Sequence, residues 1–153
     1  MHSRRTAVLA LLLPAALLAG TAMTDPGEGG RKFDTELTGE AEVNAAGVPN
    51  QGDLDGTGTA LVAINPGQER VCFDIEVADI AAPTRAHIHR AAAGANGPIV
   101  VTFFEADSVD LNRCVDVERE LAIEIIQHPE RFYVNVHNAE KPGGALRDQL
   151  AKK

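Results

Sequence analysis

Four side chains hold the chemical promise of this sequence. His87 and His89 lie two apart in Ala86-His87-Ile88-His89, His137 closes Phe132-Tyr133-Val134-Asn135-Val136-His137, and Arg147 follows near the C-terminus. Imidazole nitrogens suit copper and zinc, and three of them leave a coordination position open for water or a substrate. Residues two apart on a strand share a face, so His87 and His89 point the same way if this segment is extended. Arg147 could attract a small anion to such a centre. A plain alternative uses the same residues as a polar surface. His87 and His89 would then hydrogen-bond Asn135, Gln149 and loop carbonyls, Arg147 would pair with Glu76 or Glu105, and Tyr133 would cover the sheet. His128 precedes Pro129 at an expected helix end, where a cation is favourable beside exposed carbonyls, and is not counted as a ligand.

The elements that must position these residues follow from alternation and turn signals. Strands are expected over 33–40, 57–64, 71–77, 85–90, 99–104, 131–137 and 145–150. Val71, Phe73, Ile75 and Val77 give the cleanest alternation, and Asn65-Pro66-Gly67-Gln68 reads as a type II turn before them. Residues 44–56 form a long Gly- and Pro-punctuated loop, 91–98 a small-residue loop, and 107–113 a polar connection. Residues 118–127 carry Leu121 and Ile125 at helical spacing and end at His128-Pro129, so one short helix is expected there. Seven short strands and little helix imply an all-β antiparallel sandwich with Greek-key connections. Ile88, Val134, Val136, Leu146 and Leu150 should face the core. His87, His89, Tyr133, Asn135, His137, Arg147 and Gln149 then lie on the outer face, and a one-residue slip would exchange every face.

The N-terminus reads as an export signal. Arg4-Arg5 precedes the apolar run 7–19, and Gly20-Thr21-Ala22 offers small residues for cleavage, so residues 1–22 are expected to be a signal peptide. The run is too short for a membrane span, which needs about 20 apolar residues. Thr21 occupies the place of a lipidated cysteine, which argues against a lipid anchor. Residues 23–32 are Gly-rich and charged, a flexible leader, and 33–150 make one domain. The expected location is secreted, periplasmic or cell-envelope, with no integral span in the mature chain and an extracellular or envelope ligand as partner.

The formal charge of −8 becomes more negative when Arg4 and Arg5 are removed. An acidic domain is repelled by phosphate backbones, so no nucleic-acid partner is expected. Cys72 and Cys114 are the only cysteines, and an even count in an exported chain points to a disulfide. No Ser or Cys has the setting of a nucleophile, the acidic residues are scattered, and no strand-to-helix phosphate loop surrounds the glycines. These absences point away from an enzyme and leave the catalytic residues at none.

Several runs together resemble the CHRD (chordin) domain. They are Leu37-Thr38-Gly39 with Glu42-Val43, Gly56-Thr57-Gly58-Thr59-Ala60, and His87-Ile88-His89 followed by Ala92-Ala93-Gly94-Ala95-Asn96-Gly97-Pro98-Ile99-Val100-Val101. Phe132 to His137 and Lys141-Pro142-Gly143-Gly144-Ala145-Leu146-Arg147-Asp148-Gln149-Leu150 complete the set, which spans 33–150. Asn44 stands where the family usually has proline, and Asp148 where it has glycine. The resemblance implies a domain found in animal chordins, which bind growth factors of the bone morphogenetic class, and alone in exported microbial proteins. It carries no agreed catalytic residue. On this basis the chain is expected to be an exported binding or interaction module.

A second resemblance concerns the order of His87, His89, His137 and Arg147, which is similar to the copper site of copper/zinc superoxide dismutases. Those are also β-sandwiches. The loop 91–98 is too short for their zinc ligands, so the resemblance implies at most a copper-only site. A copper-binding redox protein and a purely structural envelope protein are the alternatives to the interaction module.

Overall fold

The computed structural model describes residues 29–150. The expected signal peptide and residues 23–28 of the expected leader lie outside them. Strand β1 (Arg31–Thr38) begins inside that leader, taking in Arg31 and Lys32. It is followed by β2 (Thr57–Asn65), β3 (Arg70–Ala78), β4 (Pro83–Arg90), β5 (Ile99–Phe104), β6 (Asn112–Asp116), helix α1 (Arg119–Gln127), a 3-10 turn (Pro129–Arg131), β7 (Phe132–Asn138) and β8 (Leu146–Gln149). Among the described residues no helix is long and apolar enough to cross a membrane.

All eight strands join one antiparallel sheet in the order β5-β4-β7-β8-β1-β2-β3-β6. Two four-stranded halves meet at a thin seam, the single pair Thr38↔Arg147 between β1 and β8. The sheet curls almost into a barrel, which brings its two edges together. Phe73 of β3 stacks on Phe103 of β5 with ring centroids 4.2 Å apart. The Arg113 guanidinium of β6 donates to the Phe103 carbonyl through Nε (3.1 Å) and Nη2 (2.6 Å). Phe33, Val62, Ile75, Ile88, Val134 and Leu146 fill the interior, each on the apolar side of its strand's alternation. The helix packs on this core through the buried Ala122 and Ile125.

The structure adds one strand to the expectation. β6 lies within and beyond the stretch 107–113 read as polar connection, and the Cys72–Cys114 disulfide joins it to β3 at directly opposed positions, Cα to Cα 3.9 Å. The 65–68 turn is also not type II. Gly67 keeps a negative φ, and Glu69 takes the left-handed conformation instead (φ 52°). The Asn65 side chain is the reason: its Oδ1 accepts from the Gly67 and Gln68 N–H groups at 3.0 and 3.1 Å, holding the chain in an Asx turn.

Candidate functional site

The site lies on the outer face of β4, β7 and β8, where the register sets its residues side by side. His87 opposes Asn135, which opposes Arg147, and His89 opposes Tyr133, which opposes Gln149. His137 follows Asn135 by two and so shares its face. The alternation therefore brings together every residue assigned to the polar side.

The expectation of an open polar surface is corrected. All seven residues of β7 are buried, on both faces. His87 and Arg147 are each 1% exposed and His137 6%. The cover consists of the loops 39–56 and 91–98. Asn96 Nδ2 donates to the carbonyls of Val43 (3.1 Å) and Asn44 (3.2 Å), tying one loop to the other. Arg147 holds the same cover from below: Nη2 donates to the Ala95 carbonyl at 2.5 Å and Nη1 to Asn96 Oδ1 at 2.9 Å. Gln149 Nε2 donates to the Ala91 carbonyl at 3.1 Å. Asn44, the departure from the family's proline, organises the upper loop by accepting from the Ala46 and Val48 N–H groups at 2.9 and 3.1 Å.

Within this enclosure the three imidazoles converge. One ring nitrogen from each of His87, His89 and His137 lies within 4.8 Å of the others. His87 Nδ1 and His137 Nε2 are 3.2 Å apart. The remaining nitrogens are engaged outward. His89 Nδ1 is 2.9 Å from the Gly97 carbonyl oxygen, and His137 Nδ1 is 3.1 Å from that of Pro142. A carbonyl oxygen only accepts, so both Nδ1 atoms carry the proton and both Nε2 atoms present lone pairs inward. His89 Nε2 is buried and has no hydrogen-bond partner. Burial, above all, pushes the His137 ring down from 6.5 to about 4, with His87 adding to the effect, and burial likewise lowers His89. The pocket thus favours neutral rings at His89 and His137, with their Nε2 lone pairs facing inward beside His87.

Arg147 does not offer its charge to an anion. Its protons go to Ala95 and Asn96, and Glu42 Oε1 lies 3.7 Å from Nη1. Neither Glu76 nor Glu105 is its partner. Glu42 is buried, accepts from the Val43 N–H (3.0 Å) and from Asn135 Nδ2 (2.5 Å), and was not singled out by sequence reasoning. Its only signal was its place beside Val43 in the family-like run. Burial raises its carboxyl above the ordinary value, against the lowering effects of Val43, Arg147 and Asn135. The same carboxylate explains Gly144, whose φ is +145° and at which a Cβ would collide with Glu42. Tyr133 is sandwiched between the Arg147 guanidinium, 3.4 Å from the ring centroid, and the His89 ring. Asp148, the other departure, is half-buried, its carboxyl raised mainly by burial and its Oδ1 accepting from the Gln149 N–H at 2.7 Å.

Residues 33–150 match the family model of the CHRD domain. No curated protein and no solved structure matches the chain. With the match running over nearly all of its described residues, the chain belongs to the CHRD domain family.

Proposed function

We propose that this CHRD domain is an exported binding module whose ligand is a copper or zinc ion, held by His87 Nδ1, His89 Nε2 and His137 Nε2. One observation carries the reading: buried imidazole lone pairs face one another while the outward nitrogens of His89 and His137 are spent on carbonyls. Lone pairs brought this close repel unless a proton or a metal lies between them; burial disfavours a charging proton on His137, which leaves a metal or the single proton of a neutral His87 to fill the gap. Ligand nitrogens about 2.0–2.1 Å from zinc, with copper similar, sit roughly 3.3–3.5 Å from each other, so the 3.2 Å between His87 and His137 already fits. The His89 nitrogen, within 4.8 Å of the other two, has to close in by up to about 1.5 Å, a shift of its side chain. A donor set of neutral nitrogens without thiolate suits copper and zinc rather than magnesium or calcium.

Export is part of the proposal, supported by the signal-like 1–22 segment and the disulfide. N-terminal sequencing of the natural product should begin near Met23. A sandwich-like packing of the two four-stranded halves is also proposed, supported by the thin β1–β8 seam between them. Superoxide chemistry is the weaker reading, because Arg147 is already occupied by Glu42 and the 91–98 loop.

Calorimetric titration of metal-free protein with copper(II) and zinc(II) tests the metal assignment. Stoichiometric binding that disappears in His89→Ala is expected. Equal, weak binding by wild type and variant would return the domain to a module of unknown ligand.

A further inference from the structure

His87 differs from its two companions. Its Nε2 faces no backbone carbonyl but the carboxylate of Glu105, at 2.9 Å. Its Nδ1, the nitrogen that points inward, lies within hydrogen-bond reach of His137 Nε2. His87 therefore has a choice the other two lack. With its proton on Nδ1 it would donate to His137 Nε2, filling two inward lone pairs at once and closing the site to a metal. With its proton on Nε2 it leaves Nδ1 free.

We propose that Glu105 is a positioning residue that holds the proton of His87 on Nε2 and so keeps Nδ1 open as a metal ligand. The inference rests on the metal reading given above. A carboxylate accepts and cannot donate, so its contact with Nε2 requires a proton there. Metal-bound histidines commonly donate their other N–H to such a carboxylate, which fixes ring and tautomer together.

A local irregularity of the fold puts Glu105 in place. Ala86 pairs with Phe104 but His87 pairs with Thr102, so Phe103 is an extra residue in β5. At this bulge both Phe103 and Phe104 turn into the core, fully buried, while Thr102 stays exposed. The inward pair shifts the alternation by one. Glu105, which a regular strand would send to the same side as Phe103, emerges instead on the outer face, over His87. Glu105 itself is 48% exposed, whereas His87 is 1% exposed. Few packing contacts are then lost on truncation, which separates its role from simple support of the fold.

The test uses the mature protein, with Glu105→Ala and Glu105→Gln beside wild type. Nitrogen-15 NMR of metal-free protein reports which ring nitrogen of His87 is protonated, and copper(II) titration reports affinity. Wild type should carry the proton on Nε2. Glu105→Ala should shift it toward Nδ1 and weaken copper(II) binding by about 10–100-fold, with an unchanged thermal midpoint. Glu105→Gln, whose amide oxygen still accepts, should recover most of the wild-type tautomer and affinity. An unaltered tautomer and affinity in Glu105→Ala would overturn the inference and leave the metal reading intact. A wild type with Nε2 protonated that takes up no copper would overturn the metal reading and leave the tautomer assignment standing.

Discussion

Tyr133 lies parallel to His89, ring centroids 4.8 Å apart and planes within 5°. Its other face carries Arg147, and its hydroxyl oxygen accepts from the Gly97 N–H at 3.4 Å. The ring thus separates a buried cation from a candidate ligand and fixes the plane of that ligand. Tyr133→Phe removes only the long hydrogen bond and should cost about 1 kcal/mol. Tyr133→Ala should cost roughly 3–5 kcal/mol, as truncation of a buried aromatic does, and should also weaken copper binding because His89 loses its wall. Urea unfolding and calorimetry on the two variants check this.

The Glu42–Arg147 pair is buried on both sides. Arg147→Met leaves a carboxylate without its cation and unties Ala95 and Asn96. A loss of about 3–5 kcal/mol is expected. Glu42→Gln combined with Arg147→Met should lose less than the sum of the two single changes. A double-mutant cycle by chemical denaturation measures that coupling, and strict additivity would contradict the pairing.

Acid should destabilise the metal-free domain through His137. Its folded value of about 4 lies below the ordinary 6.5 of an unfolded chain, so the unfolded state binds more protons between these limits. Stability is therefore fully present above pH 6.5 and is lost as pH falls toward 4, by roughly 3 kcal/mol in all. His89, also lowered, acts in the same direction. Glu42 and Asp148 are raised and oppose it, since protonation favours their folded state. The difference in urea midpoint between wild type and His137→Gln, followed from pH 7.5 to about 4, isolates the histidine. A constant difference across that window would refute the assignment.

Reduction of Cys72–Cys114 should lower stability by roughly 4 kcal/mol on the chain-entropy account, given a sequence separation of 42. Cys72→Ser/Cys114→Ser, compared with wild type under oxidising conditions, gives the value. Mass spectrometry of the non-reduced protein should show the linked peptide pair.

Much of the frame was legible because alternation and turns are local. The faces of β4, β7 and β8 followed from Ile88, Val134, Val136 and Leu146, and with them the shared side of His87, His89, Asn135, His137 and Arg147. Burial of that side was not legible. A polar residue at an outward position says nothing about whether a loop folds over it, and the cover here depends on Arg147 meeting Ala95 and Asn96 far away in sequence. Strand β6 escaped because Asn112-Arg113-Cys114-Val115-Asp116 has little apolar alternation and is pinned by the disulfide and by pairing to β3. Glu42 escaped because a carboxylate in a loop has no period, and its partners Asn135 and Arg147 arrive only through tertiary structure. Sequence alone offers Glu105 as a partner for Arg147. The β5 bulge gives it to His87 instead.

The covalent tie between β3 and β6 also bears on the company this molecule keeps. β6 is five residues long and forms one border of the sheet, the place where a strand can most easily lift away and be replaced by the same strand from a neighbour. Because Cys114 is bonded to Cys72 directly across the ladder, β6 cannot leave without breaking a bond between sulfurs. In an oxidising compartment each copy is thereby held to its own border strand, and exchange of that strand between molecules is closed off at high concentration.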